Sequence, residues 1–371
     1  MNSYYKTADT YKQGARSLPQ KYYMEDAIFK MEIKNIFEKK WLCCGRSNDI
    51  LKPGQYQLVN IGDESIIILR DDQLNLQGFY NICRHRGTRL CKKEKGKFSK
   101  TIQCPYHGWT YNLQGNLCGA PNMDAVKEFE KNDYPLHQVY VKEWEGFYFI
   151  NLTDTPEDFE MAFSPILNYF SQWDILDLKT IDTKTYYVNC NWKLIIQNYS
   201  ECYHCPIIHS SLAEITPYTG GKNNMVSGPF LGGYMEMKFE SITTNGKLSG
   251  PKIGNLSKEN LSRVYYYTLF PNMLLSLHPD YIMYHTIYPI SPEKCQISCS
   301  WLFSNKVENN LNYNPHNAIN FWNKTNLEDW EICEKSQLGI KSKKYKPGPY
   351  SGQESLLAAY DEYYLNILNN S

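Results

Sequence analysis

The sequence predicts an α+β fold: an all-β module over residues 40–152, then a domain over residues 153–371 in which helices pack on an antiparallel sheet. Three observations predict it. From Pro53 onward, short apolar runs are separated by turn pairs. A second β-rich stretch runs from Gly232 to Leu302, with helical signals on either side. At 371 residues the chain also exceeds one typical domain, so two are expected.

In chain order, residues 24–40 alternate apolar and charged side chains at helical spacing and predict an amphipathic helix. It belongs to an N-terminal helical segment, residues 1–39, expected to pack with the second domain. Tyr56-Gln-Leu-Val-Asn60, Ser65-Ile-Ile-Ile-Leu69 and Leu74 to Tyr80 are strand runs, separated by Gly62-Asp63 and Asp71-Asp72. Phe147-Tyr-Phe-Ile150 is another, entered from Glu145-Gly146. Thr155-Pro-Glu-Asp158 carries an N-cap, a proline at the first helical position and early acids, and marks the domain boundary. A strand over residues 180–189 follows, then a helix opened by Asn191-Trp-Lys193. Residues 263–270, 273–277, 281–289 and 296–303 suit an antiparallel sheet. Asn314-Pro315 opens a helical stretch ending near Gly339, and residues 353–368 are helical again.

Lys plus Arg equals Asp plus Glu at 39 each, which argues against bulk nucleic-acid binding. Tyrosine, at 31 residues, exceeds what a generic core requires and leaves material for an aromatic-lined pocket. The polar N-terminal stretch has no apolar h-region, and no window approaches the roughly 18 apolar residues of a membrane span. Twelve cysteines without a signal predict a reducing, cytoplasmic compartment, where thiols serve as ligands or small buried hydrophobes rather than disulfides. Most of Cys43, Cys44, Cys91, Cys118, Cys190, Cys295, Cys299 and Cys333 are expected to be packing residues.

Two constellations carry chemistry. The first is Cys83-Arg-His85-Arg-Gly87 with Cys104-Pro-Tyr-His107-Gly108-Trp109. Each loop offers one thiolate and one imidazole, followed by a glycine suited to a tight turn. Structural zinc groups like ligands, whereas unlike ligands are grouped here. Two such loops can hold a [2Fe–2S] cluster with two cysteines on one iron and two histidines on the other. Neutral imidazoles lower the negative charge of the cluster and raise its potential, which suits a one-electron relay.

The second constellation is Asn198-Tyr-Ser-Glu201-Cys-Tyr-His204-Cys-Pro-Ile-Ile-His209. Glu201 and His204 would share a helix face. His204 and His209 would diverge on a straight helix, by about 140° at 100° per residue. Pro206 disfavours helix at the preceding residue, so the chain is expected to leave the helix between the two histidines. An open iron site takes two imidazoles and one carboxylate. Glu201 and the distant Asp329 both remain candidates for the carboxylate; a solvated helix acid is the plain alternative for Asp329.

Together with Glu328-Asp329-x₄-Glu334-x-x-Gln337-x-Gly339, these motifs resemble the α subunit of Rieske non-haem iron oxygenases, the aromatic-ring-hydroxylating family, over most of the chain. The resemblance implies an all-β Rieske [2Fe–2S] domain at residues 40–152 and a helix-grip catalytic domain at 153–371. It assigns the cluster to Cys83, His85, Cys104 and His107, and the mononuclear Fe(II) to His204, His209 and Asp329. Glu201 then bridges the cluster histidine of one subunit to an iron-ligand histidine of the next, within a homotrimer. Electrons come from NAD(P)H through a separate flavin/iron–sulfur reductase, and O₂ supplies the oxygen inserted into a C–H bond. Most members carry aspartate at the position of Glu201. Glutamate there resembles the branch that oxidises quaternary ammonium compounds: choline monooxygenase, carnitine monooxygenase and glycine betaine demethylase-like proteins. The expected reaction is therefore hydroxylation or N-demethylation of such a substrate.

Tyr265, Tyr266, Tyr267, Phe270, Tyr281, Tyr284 and Tyr288 offer ring faces for a cation, against the alternative of plain sheet core. Rival readings are an aromatic-ring hydroxylase or O-demethylase of the same fold, and a Rieske electron carrier without catalysis. A carrier would need only residues 40–152.

Overall fold

The computed structural model describes residues 3–307 and 310–369. Residues 1 and 2 of the expected N-terminal segment, and 308, 309, 370 and 371 of the expected second domain, lie outside the described residues. Two compact units form, one from residues 1–36 and 165–371, the other from residues 37–164.

The larger unit begins with strand β1 (Tyr5–Lys6) and helices α1 (Lys21–Met24) and α2 (Asp26–Glu32). The expected helix over 24–40 is thus divided. Glu25 is extended, at φ −83° and ψ 126°, and separates α1 from α2. The chain then widens into a π turn at Ile33–Phe37, which carries the fully buried Ile36 and Phe37.

The smaller unit contains β2 (Leu42–Arg46), β3 (Gln55–Ile61), β4 (Glu64–Arg70), β5 (Leu76–Tyr80) and β6 (Lys95–Lys97). It continues with β7 (Thr101–Gln103), β8 (Thr110–Asn112), β9 (Leu117–Gly119), β10 (Gln138–Trp144) and β11 (Phe147–Asn151). Seven strands pair in the order β2-β11-β10-β5-β4-β3-β6, and β7-β8-β9 form a separate three-stranded sheet. The loops bearing Cys83 and Cys104 follow β5 and β7. The helix expected from Thr155 starts later, as α3 (Phe159–Ala162). Asp158 caps it, accepting the Met161 N–H at 2.8 Å, because its carboxylate stands where the third helical amide points.

The rest of the larger unit holds β12 (Leu178–Val188), α4 (Trp192–Tyr199), α5 (Cys205–Ile208) and α6 (Ser210–Ile215). Strands β13 (Lys222–Val226), β14 (Phe230–Glu236), β15 (Arg263–Leu269), β16 (Met273–Leu277), β17 (Ile282–Ser291) and β18 (Lys294–Ser304) follow. Helices α7 (His316–Ile340) and α8 (Ser355–Asn369) complete it. One antiparallel sheet runs β1-β13-β14-β15-β16-β17-β18-β12. Ala318, Ile319 and Trp322 of α7 share a core cluster with Val264, Met283 and Trp301 of the sheet. The chain is thus α+β, with antiparallel sheets and packed helices. No helix among the described residues is long and apolar enough to cross a membrane.

A buried charge network anchors α4, whose C-terminus leads into the histidine-bearing loop. Lys193 Nζ donates to Glu32 Oε1 at 2.5 Å, both fully buried. Trp192 Nε1 and Tyr364 Oη also donate to that carboxylate, at 2.9 and 2.5 Å. Burial lowers the Lys193 pKa, and Glu32 opposes the shift. Replacing Lys193 by Met leaves the carboxylate without its cation. That is expected to destabilise the larger unit by about 3–5 kcal/mol, read as a lower denaturant midpoint; an unchanged midpoint would show the pair to be neutral.

Candidate metal centres

The two cysteine–histidine loops are built alike. In the first, Cys83 N–H donates to Thr88 O at 2.9 Å and Gly87 N–H to Cys83 O at 3.0 Å. In the second, Cys104 N–H donates to Trp109 O at 2.7 Å and Gly108 N–H to Cys104 O at 3.2 Å. Both closing glycines have φ +73°, a conformation that costs other residues energy. The loops bring the four expected residues together. The His85 and His107 rings lie 4.7 Å apart, and His85 stacks on Trp109 at 4.8 Å. Cys83 and Cys104 are buried and interact; burial raises the Cys83 pKa, and the Tyr111 hydroxyl, 3.4 Å from its sulfur, opposes this. His85 Nδ1 is buried without a protein partner. Two thiols, two imidazoles and an orphaned ring nitrogen fit a cluster held by all four residues.

The second constellation folds differently from the expected helix. Glu201 and His204 lie in a turn after α4 rather than on one helical face. Pro206 opens a helix instead of ending one: it sits in the first turn of the single-turn α5, where its missing N–H costs nothing. His204 is the N-cap and His209 the C-cap of that turn. The bend falls at His209, with φ −121° and ψ 67°, where α6 begins.

This brings His204, His209 and Asp329 together, with one ligand atom of each within 4.8 Å of the others. It is the one such group among the described residues. Asp329 Oδ1 lies 2.8 Å from His209 Nε2 and 3.4 Å from His204 Nε2. The opposite ring nitrogens are held by other acids. His204 Nδ1 lies 2.6 Å from Glu201 Oε1, and His209 Nδ1 lies 2.8 Å from Glu328 Oε2. Each acid fixes a proton on Nδ1 and leaves an Nε2 lone pair for a metal. Burial lowers the His204 pKa, but hydrogen bonds to Asp329 and Glu201 overcome it and push it up to about 10. His209 is raised in the same way, chiefly by Asp329. Asp329 is held low by the two histidines despite its burial. Three mutually neutralising ligands around a common point suit a divalent cation, which would take the place of the protons.

The sequence reading did not find the role of Glu328. Its only signal is its place beside Asp329, and helical spacing cannot show that it reaches His209. Glu201 Oε2 also accepts the backbone N–H groups of Tyr203 and His204, which ties the turn together. The expectation of free thiols fails in this loop. Cys202 and Cys205 form a disulfide, because the turn carries their Cα atoms to 5.0 Å. Of the eight expected packing cysteines, six are buried, Cys91 is partly buried and Cys118 is exposed.

A cavity of about 120 Å³ opens beside the side chains of His204, His209 and Asp329. Among the aromatic candidates from the sheet, only Tyr266 lines it. Strand alternation explains why: Tyr266 meets Tyr199 and Trp322 on one face, while Tyr265 and Tyr267 pack on Trp173 and Phe170 on the other. Tyr281 stacks on His278 and Phe270 packs against Tyr363. Tyr284 and Tyr288 are also absent from the lining. The remaining tyrosine and tryptophan rings are Tyr199 from α4, Tyr234 from β14, Trp322 and Trp330 from α7, and Tyr203 and Tyr218 from connecting segments.

A family model described as the ring hydroxylating alpha subunit (catalytic domain) matches residues 175–370, and one for the Rieske [2Fe-2S] domain matches residues 40–130. The chain is 31% identical over 379 residues to the glycine betaine monooxygenase oxygenase subunit of Chromohalobacter salexigens, covering 92% of this chain and 83% of that one. Over 203 residues, 54% of each chain, it is 36% identical to the carnitine monooxygenase oxygenase subunit of Acinetobacter baumannii. The fold matches that of the quaternary ammonium Rieske monooxygenase CntA with a TM-score of 0.81, at 25% identity over 95% of both chains.

Proposed function

The chain belongs to the ring-hydroxylating Rieske oxygenase family, and we propose that it is a monooxygenase acting on a small quaternary ammonium compound such as choline, glycine betaine or carnitine. Its catalytic unit and Rieske domain make it an oxidoreductase, the oxygenase component of a system that needs a reductase. In this reading Cys83, His85, Cys104 and His107 hold the [2Fe–2S] cluster, and His204, His209 and Asp329 hold the Fe(II). When bound, the cluster supplies single electrons drawn from NAD(P)H through the reductase, and the iron activates O₂.

The observation that carries the substrate reading is the cavity lining beside His204, His209 and Asp329. It joins aromatic rings to acidic side chains, a surrounding that favours a permanent cation. The relatives named for glycine betaine and carnitine support the same class. Glu201 and Glu328 act on the ring protons of His204 and His209, orienting both imidazoles. We place Glu201 as the connection to the cluster of a neighbouring subunit, which makes the working assembly a homotrimer, and we place the protein in the cytoplasm.

The test supplies the purified protein with a reductase, NADH and O₂. Glycine betaine, carnitine or stachydrine is expected to release formaldehyde, or choline to yield the aldehyde, with matched oxygen consumption. No product from any of these, alongside turnover of an aromatic acid, would assign the protein to ring hydroxylation or O-demethylation instead.

A further inference from the structure

We propose that Cys202 and Cys205 are a reversible thiol–disulfide site whose oxidation tightens the hold of His204 on the divalent ion. This inference rests on His204, His209 and Asp329 being the metal ligands, as proposed above, and not on the identity of the substrate.

The other ten cysteines of the chain are free. In a compartment that keeps those thiols reduced, a disulfide is a redox-responsive group rather than a permanent staple. Its loop is also too short for a staple. Only Tyr203 and His204 lie between the two cysteines, and a cross-link that closes a short loop restrains the unfolded chain least. What this short loop does contain is a metal ligand. The Cys205 sulfur lies 4.0 Å from His204 Nε2, and Cys202 directly follows Glu201. Apart from the disulfide, the turn is closed by Cys205 N–H donating to Cys202 O at 3.1 Å and by Glu201 Oε2 accepting the Tyr203 and His204 N–H groups. Packing adds little, because Tyr203, Pro206 and Ile207 are exposed. Opening the S–S bond therefore removes one of few restraints on the His204 backbone. A freer ligand loses more conformational entropy when a metal fixes it, so the reduced loop binds the ion more weakly.

Both cysteines line the cavity beside the ligands, which gives small oxidants and thiols a route to them. Cys202 is half-buried and Cys205 buried, so Cys202 meets an oxidant first. In the forward step the Cys202 thiolate attacks one oxygen of hydrogen peroxide. The O–O bond breaks, and hydroxide leaves and takes up a proton as water. The Cys205 sulfur then attacks the sulfenic sulfur, forms the S–S bond and expels a second water. The two thiols lose two electrons and two protons, and the peroxide gains them. In the reverse step a dithiol reductant exchanges through a mixed disulfide, returns both thiols and leaves as its own disulfide. Hydrogen peroxide is what O₂ becomes when it gains two electrons and two protons without inserting an atom, so an oxygenase can meet this oxidant in its own cavity.

The test uses the full chain with its cluster loaded and its mononuclear site emptied by a chelator. One sample is treated with stoichiometric hydrogen peroxide and another with a phosphine reductant, and both are desalted anaerobically. Alkylation and peptide mass spectrometry are expected to find Cys202 and Cys205 joined in the first sample and both alkylated in the second. Co(II), titrated against a fluorescent chelator, is expected to bind the oxidised form about tenfold more tightly. Cys202→Ser is expected to bind Co(II) with the affinity of the reduced wild type after either treatment, and Cys205→Ser serves the same purpose if the first variant does not fold. Oxidised wild type that binds Co(II) no more tightly than reduced wild type would overturn this inference alone, as would thiols that peroxide leaves unpaired. If Co(II) binds neither form, the metal-ligand reading itself falls and takes the inference with it.

Discussion

Glu201→Gln is expected to lower turnover by about a hundredfold while both metal centres stay loaded. Glu201 Oε1 meets His204 Nδ1 at 2.6 Å, and its side chain remains partly accessible at 11%. The glutamine keeps one oxygen for His204 and nearly the same volume. It loses the charge, and it replaces the second acceptor by a donor that a facing imidazole N–H would repel. Circular dichroism and iron content check the turn separately, because Oε2 also accepts the Tyr203 and His204 N–H groups and the glutamine amide nitrogen cannot. The expected signature is unchanged iron content and an unchanged cluster spectrum, with slow transfer of electrons from the reduced cluster in single-turnover experiments. A variant that turns over at the wild-type rate would remove Glu201 from the electron path. So would a wild-type monomer with full activity, identified by light scattering.

Asp329→Ala is expected to abolish turnover by emptying one centre only. Asp329 is the acid that reaches the Nε2 atoms of both histidines. Without it, two imidazoles are left with their Nδ1 protons fixed by Glu201 and Glu328, and the divalent ion loses its anionic ligand. Iron per chain is expected to fall from about three to about two, with the [2Fe–2S] absorption retained. Retention of the full iron content and activity would show that Glu201 or Glu328 supplies the carboxylate instead.

The parts of this protein legible in the sequence are those set by short spacing. Cys83-x-His85-x-Gly87 and Cys104-x-x-His107-Gly108 declare their turns because a glycine at φ +73° and a cysteine amide bonded five residues on are local devices. The large sheet is visible for the same reason, since each strand run carries its own alternation and its own turn. The loop around His204 was harder. Local rules correctly placed a bend there but misjudged Pro206, which is tolerated in a first helical turn and so could begin α5 rather than end a helix. Nor could local rules pair Cys202 with Cys205, whose disulfide depends on the tightness of that turn.

By itself the sequence determined the α+β class, the two cysteine–histidine loops and the histidine pair, because each depends on residues within about one or two turns of chain. Tertiary structure alone decided that Asp329, 120 positions from His209, sits 2.8 Å from it, and that Glu328 takes the other ring nitrogen. It also decided that Tyr266 faces the cavity while Tyr265 and Tyr267 face away. The physical reason is common to all three. A helix or strand sets the direction of each side chain locally, but what lies in that direction is chosen by how α7 packs on the sheet.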